Sequence, residues 1–326
     1  MITLKKQKNK DFTILNLTDF QLQEPDWKNK NQKGHIILDT LNTLIERVKP
    51  DLITISGDLT WCGDYDAQRA MSDVIDSFGI PWSPLWGNHD QDHGIHKLDN
   101  AIEIYSQYKN FKYENGPLEL GRGNYVIAIE EEGKIVEGIV MMDTHDRLPF
   151  TKEDGEEIMA WGKVLPPQIE WYKEQIKALS VLGCKETMLI THAPIYAYHY
   201  AFDAAFKNEL DCKSISVEES YKSECWNEGY EGSFGVKRED ISSYPADEGF
   251  FEVIKELDST KNLLCGHDHV SNFSIVYEGV RFTYALKTGS GCYWNPDLNG
   301  GTVIKIDENG VRDVYHEYVD VSKHLN

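Results

Sequence analysis

The sequence predicts an α/β fold, a four-layer sandwich of two mixed β-sheets flanked by helices on both outer sides. Three observations carry that expectation. Apolar, β-branched runs alternate with helical patterns through the first half of the 326 residues, strands dominate the second half, and the strands share the way they end, on an aspartate, asparagine or histidine.

Phe12 to Leu17 and Leu52 to Ser56 read as strands, being short apolar and β-branched runs. Between them Ile37, Leu38, Leu41, Leu44, Ile45 and Val48 recur at helical spacing, and Pro50 ends that helix. A second helix begins at Asp64, a suitable N-cap, runs through Ala67, Ala70, Met71, Val74, Ile75 and Phe78, and stops at Gly79. Tyr125 to Ile129 and Ile135 to Met142 form a predicted hairpin around Glu131 to Gly133. An irregular stretch follows, then a helix that Pro166 and Pro167 open and Gly183 closes. Met188 to Thr191 is the next strand. Residues 197–248 carry aromatic, glycine and acidic residues with weak periodicity, and read as a long excursion over one end of the domain. Strands return at Leu263, Phe273 to Tyr277, Val280 to Leu286, Thr302 to Ile306 and Val311 to Tyr318.

No linker, repeat or low-complexity tract divides the chain, which predicts one domain spanning residues 1–326. The formal net charge of −21, from 54 acidic and 33 basic side chains, argues against binding nucleic acid through the general surface. A phosphate-bearing partner would need local positive charge, and bound divalent cations supply it most simply. Met1 to Lys10 is lysine-rich, but no apolar stretch of signal-peptide length follows, and no run approaches the roughly 18 apolar residues of a membrane span. The six cysteines contain no C-x-x-C and read as reduced, mostly buried thiols. Together these features predict a cytoplasmic protein without a membrane partner, and leave its oligomeric state open.

The strand endings carry the chemistry. They read Leu17-Thr18-Asp19, Ser56-Gly57-Asp58, Gly87-Asn88-His89-Asp90, Thr191-His192 and Gly266-His267-Asp268-His269. Residues just past the carboxyl ends of strands in an α/β sheet converge on one crevice, so these distant positions become neighbours. His267 and His269, two apart in an extended segment, point the same way about 7 Å apart and can reach two adjacent metals. Paired ions about 3.5–4 Å apart need a bridging carboxylate, for which Asp58 is the candidate. Gly57 and Gly87 permit close approach of backbone and metal.

With these motifs in place the chain resembles the calcineurin-like metallophosphoesterases, in the branch related to purple acid phosphatases. That family's pattern is D-x-H, G-D, G-N-H-D/E, a lone histidine after a strand, and G-H-x-H. Here it runs from Asp19 to His269 in the same order. The resemblance implies that one metal is held by Asp19, Asp58 and His269, with Gln21 at the motif histidine's position, and a second by Asp58, Asn88, His192 and His267. It also implies that His89 protonates the departing oxygen while Asp90 orients His89.

Two departures stand out. Gln21 replaces the D-x-H histidine, and Trp61 replaces the tyrosine ligand of the purple enzymes. An indole is only a donor, whereas an amide oxygen is a neutral hard ligand that suits Mn²⁺ or Mg²⁺ better than softer ions. Gln21 therefore either coordinates or hydrogen-bonds a water at the metal. The resemblance implies two divalent ions, drawn from Mn, Fe, Zn or Mg, and hydrolysis of a small phosphorylated substrate, a monoester first. The alternatives are a phosphodiesterase of the same fold and a catalytically weak metal-binding protein.

His93, His96, His145, His199 and His316 read as surface or core residues. His199, flanked by Tyr196, Tyr198 and Tyr200, is the one placed to line a substrate mouth. Tyr293 and Trp294, after Gly289 and Gly291, read as rim contacts or ordinary packing, with packing favoured.

Overall fold

The structure, a computed structural model, describes residues 1–92 and 94–325, so His93 lies outside the described residues. The first half holds β1 (Ile2–Lys5), β2 (Phe12–Leu17), α1 (Glu24–Trp27), α2 (Gln32–Val48), β3 (Leu52–Ser56), α3 (Tyr65–Ser77), β4 (Trp82–Leu85), α4 (His96–Tyr105), β5 (Tyr125–Glu131) and β6 (Lys134–Met141). Next come β7 (Arg147–Thr151), β8 (Glu157–Trp161), α5 (Pro166–Val181), β9 (Thr187–Ile190), α6 (Ala197–Ala205), α7 (Val217–Ser220) and α8 (Phe250–Leu257). The chain ends with β10 (Thr260–Cys265), β11 (Ser274–Tyr277), β12 (Val280–Tyr284), β13 (Gly300–Ile306) and β14 (Val311–Tyr318).

Two sheets organise the molecule, one of seven strands in the order β1-β5-β6-β9-β10-β12-β11 and one of five in the order β14-β13-β2-β3-β4. Both are mixed. β2, β3 and β4 run parallel in the smaller sheet, and β6, β9, β10 and β12 run parallel in the larger. Strand parity then divides the core. In β2, Leu15 and Leu17 point to the helices α2, α3 and α4, while Phe12 and Ile14 point to the other sheet. Tyr125, Ile127 and Ile129 of β5 and Met188 and Ile190 of β9 complete the layer between the sheets. On the far side, Tyr172 and Ile176 of α5, Phe202 of α6 and Phe250 of α8 cover the larger sheet. The layers are therefore helix, sheet, sheet, helix, as the sequence predicts.

The stretch 143–165 departs from expectation. Read as irregular, it holds the two-stranded hairpin of β7 and β8, paired from Arg147–Trp161 to Thr151–Glu157 outside both main sheets. Its strands are short, largely exposed and interrupted by Pro149, so they lack the apolar run that marks a buried strand. β4 contains Pro84, which is tolerated because β4 is an edge strand. The lysine-rich start also has a structural account: Lys5, Lys6 and Lys8 pair with Glu130, Glu131 and Glu132 at the end of β5 and after it. Among the described residues no helix is long and apolar enough to cross a membrane.

Candidate metal centre

Because β2, β3 and β4 are mutually parallel, their carboxyl ends deliver Asp19, Asp58 and Asn88 to one edge of the smaller sheet. β9 and β10 deliver His192, His267 and His269 from the larger sheet. All six are nearly fully buried, as is Gln21. The chain turns sharply to aim them. Asp19, Gln21, Asp58 and His267 adopt left-handed backbone conformations, with φ of 57°, 44°, 54° and 79°. Non-glycine residues reach that region at a cost, and its clustering at a single crevice is typical of functional sites. The two preceding glycines make the packing possible: a Cβ on Gly57 would lie 2.3 Å from His192 Nδ1, and one on Gly87 would lie 2.1 Å from Asp58 Oδ1.

Oxygen and nitrogen atoms of Asp19, Asp58 and His269 lie within 4.8 Å of one another. His269 donates from Nδ1 to the Tyr293 carbonyl at 2.8 Å, so its Nε2, 3.5 Å from Asp19 Oδ1, is left to act as a ligand. His192 follows the same logic. Its Nδ1 donates to the Ser56 carbonyl at 2.8 Å, which turns Nε2 toward Asn88 Oδ1 at 3.1 Å, His267 Nδ1 at 3.2 Å and Asp58 Oδ1 at 3.5 Å. Asp58 thus faces both groups of ligand atoms.

Gln21 donates from Nε2 to Asp58 Oδ2 at 2.6 Å. Its Oε1, Asp19 Oδ1 and His267 Nε2 are buried without any hydrogen-bond partner. A buried acceptor left unpaired costs on the order of 1–3 kcal/mol, and three of them around one crevice fit a site built for cations. The donor set is rich in oxygen and imidazole, which suits divalent first-row ions or Mg²⁺. Buried amid this acidity is Lys287, which donates to the Asp19 carbonyl oxygen. Burial lowers its ammonium to about 8, against the pull of Asp19. No motif marked Lys287 in the sequence.

One assignment needs correction. Asp90 does not orient His89. Its Oδ1 accepts from the Leu59 and Thr60 amides at 2.9 and 3.3 Å, and its Oδ2 from the Gly87 amide at 2.8 Å, so it ties two ligand loops together from behind. Burial, reinforced by the Asp58 charge, pushes its carboxyl up to about 7. The carboxylate that meets the His89 ring is Asp92, with Oδ2 2.7 Å from Nδ1. Trp61 stacks on a face of this ring, with centroids 4.7 Å apart. Neither partner was legible in the motif, because both act through position alone.

A cavity of about 110 Å³ lies over these ligands, walled by His89, Trp161, Ser242, Tyr293 and Cys292. It adjoins a groove of about 460 Å³ through Gln21 and Cys292. Tyr293 is not mere packing: it stacks on His269 at 4.2 Å and donates to Glu239 at 2.7 Å. Trp294 does pack against the helical core of the smaller sheet. Residues 197–248 reach the cavity through Ser242, whose amide donates to Asp268 at 3.0 Å. His199 instead pairs with Ser243 at 3.0 Å, supporting that segment without lining the cavity. His145 pairs with Gln168 at 3.0 Å, His316 is buried between Thr302 and Asn272, and His96 is exposed. All six cysteines are free thiols.

A family model described as Calcineurin-like phosphoesterase matches residues 12–271. The chain is 27% identical over 267 residues to probable inactive purple acid phosphatase 14 of Arabidopsis thaliana, covering 76% of this chain and 61% of that protein. It is 25% identical over 275 residues to probable inactive purple acid phosphatase 29 of the same plant, covering 78% and 63%. It thus spans a little over three-fifths of the length of these curated relatives. A dimetal phosphatase structure from Danio rerio shares the fold, with a TM-score of 0.56, 11% identity, and coverage of 94% of this chain and 98% of that one. With its strand-end ligands gathered at one crevice and a family match over most of its length, this chain belongs to the calcineurin-like phosphoesterase family.

Proposed function

We propose that the protein, acting as one domain, hydrolyses phosphate monoesters with two divalent cations bound at this centre. The observation that supports it best is the convergence of six ligand-type residues around Asp58, three of them with buried, unpartnered atoms. Asp19, Gln21 through Oε1, Asp58 and His269 would hold one cation, and Asp58, Asn88, His192 and His267 the other. Bound there, the cations would supply Lewis acidity toward phosphoryl oxygens and acidify water.

The chain's own residues do the rest. His89, with 27% of its side chain exposed, is the partly open histidine of the cavity wall. With Asp92 accepting from Nδ1, the ring carries a proton on Nε2 only as imidazolium, the form that donates to a departing alkoxide. Trp61 holds the ring in plane and covers one face from water. Trp161, Ser242 and Tyr293 keep the cavity near 110 Å³, well below the roughly 300 Å³ of a pocket for a whole drug-sized ligand. That supports a site for a terminal phosphoryl group, with the remainder of the ester outside.

The second reading is a metal-binding protein with little turnover. Gln21 and Trp61 in place of family ligands favour it, as do relatives named probable inactive purple acid phosphatases. Assay of the purified protein with p-nitrophenyl phosphate and bis-p-nitrophenyl phosphate, titrating Mn²⁺, Zn²⁺, Mg²⁺ and Fe²⁺, separates the possibilities. Turnover of the monoester supports hydrolysis, preference for the diester reassigns the substrate, and turnover of neither with any metal leaves the binding protein.

A further inference from the structure

Behind Trp161 in the cavity wall, a cation is fixed on the indole. Arg147, at the start of β7, lies with its guanidinium 4.0 Å over the ring of Trp161 at the end of β8. Trp161 meets the His267 ring edge-on at 4.5 Å and lines the cavity. The guanidinium is therefore no farther from His267 than those two separations combined. The hairpin that carries it is anchored: the Gly162 amide donates to the Asp146 carbonyl at 2.8 Å, and Tyr244 donates to the Pro149 carbonyl at 2.9 Å and packs edge-on against Phe150.

Among the described residues Arg147 makes no ion pair, and its one hydrogen bond is a long contact of 3.5 Å to the Met159 carbonyl. Its face is occupied by the indole, and the side chain is exposed with a single long hydrogen bond, so most of its N–H groups have no protein acceptor among the described residues. Asp146, its neighbour in the chain, is the nearby acid and feels the Arg147 charge, but among the described residues the two form no ion pair. An arginine clamped on an aromatic ring and left without a carboxylate partner keeps its charge and its N–H donors for an incoming anion. The groove on the opposite side offers less. Asn31 caps α2 and bonds Asp26, and Lys33 is an exposed side chain on a flexible stem.

We infer that Arg147, mounted on Trp161, binds a second anionic group of the substrate, a phosphate or carboxylate beyond the scissile phosphoryl group. This rests on the phosphoester reading of the cavity, and it selects doubly anionic esters over simple alkyl phosphates. Arg147 is thus a specificity-determining residue and takes no part in the bond-breaking step.

The test is calorimetric binding to the Mn²⁺-reconstituted protein. Propane-1,3- and pentane-1,5-bisphosphonate are each compared with the alkylphosphonate of the same length, with 4-phosphonobutyrate as the carboxylate arm. At least one doubly anionic probe should bind about fivefold to tenfold tighter than its singly anionic counterpart. Arg147→Gln should erase that advantage while leaving alkylphosphonate affinity unchanged, and Lys33→Gln should preserve it. Whether the bisphosphonates or the phosphonobutyrate gain more identifies the second group. Equal affinities in the unmodified protein, an advantage that survives Arg147→Gln, or one lost with Lys33→Gln overturns the inference and leaves the phosphoester reading standing. Failure of every phosphonate to bind removes both.

Discussion

At the scale of single residues, chemistry and assembly separate at His89. The ring makes no hydrogen bond to the ligand atoms around His192, and it is held by Asp92 and Trp61 instead. His89→Ala should leave metal content nearly intact and slow hydrolysis of an alkyl phosphate by ~10²–10⁴, the range for loss of a general acid. A nitrophenyl ester, whose leaving group needs no proton, should slow far less; equal slowing of both esters would remove His89 from the acid role. Asp92→Asn should reproduce a milder form of the same split, while Asp90→Asn should lower stability first, because Asp90 holds three backbone amides. Gln21 makes a second case. Its amide nitrogen steadies Asp58 and its oxygen faces the crevice unpaired, so Gln21→Ala should weaken Mn²⁺ binding about tenfold or more. Gln21→His should shift preference toward Zn²⁺ or Fe²⁺, as read by competition titration. An unchanged affinity and preference in both variants would show that Gln21 is not a ligand.

At the scale of elements, β6 carries a charge problem far from the site. Glu137 is fully buried, neither carboxylate oxygen has a hydrogen-bond partner, and Gly310 of the β13–β14 turn lies against it together with Glu186. Burial, reinforced by Glu186, raises its pKa well above the ordinary 4.5, so the folded chain holds a proton that the unfolded chain releases near that value. Its contribution to stability is therefore full below about pH 4.5 and declines as pH rises toward the folded value. Glu137→Gln should stabilise the protein at pH 8 by about 1–3 kcal/mol and flatten the pH slope, measured by urea unfolding at pH 5 and 8 with metal held constant. A slope unchanged by the substitution would place the titrating group elsewhere. The elements also show where the sequence was readable. Asp19, Asp58 and His192 each follow a buried apolar strand, and such a run has an unmistakable pattern. The β7–β8 hairpin buries little, so it has no such pattern, and Trp161 and Arg147 went unread with it. Asp92 and Lys287 were invisible for a different reason: each acts by meeting a neighbour that no motif defines, and nothing local distinguishes it from other charged residues, while Tyr293 stands out in the sequence but reads there as packing.

At the scale of the whole molecule, the centre joins the two sheets. Asp19, Asp58 and Asn88 come from the smaller sheet and His192, His267 and His269 from the larger, so bound cations would tie together halves otherwise held by the apolar layer between them. Stripping metal with a chelator should therefore lower the unfolding midpoint, with about 2.7 kcal/mol at stake for each site filled at a hundredfold excess over its dissociation constant. The order of occupancy should follow the ligands, with the Asn88, His192 and His267 site filling first because it keeps the full family set. Elemental analysis of chelator-stripped protein, reconstituted with excess Mn²⁺ and freed of unbound ions, counts the cations at the centre. A binuclear centre bridged by Asp58 requires close to two ions per chain, near zero in Asp58→Asn because one carboxylate serves both sites, and close to one in His192→Ala. One ion or none in the unmodified chain, or two retained in Asp58→Asn, would contradict it.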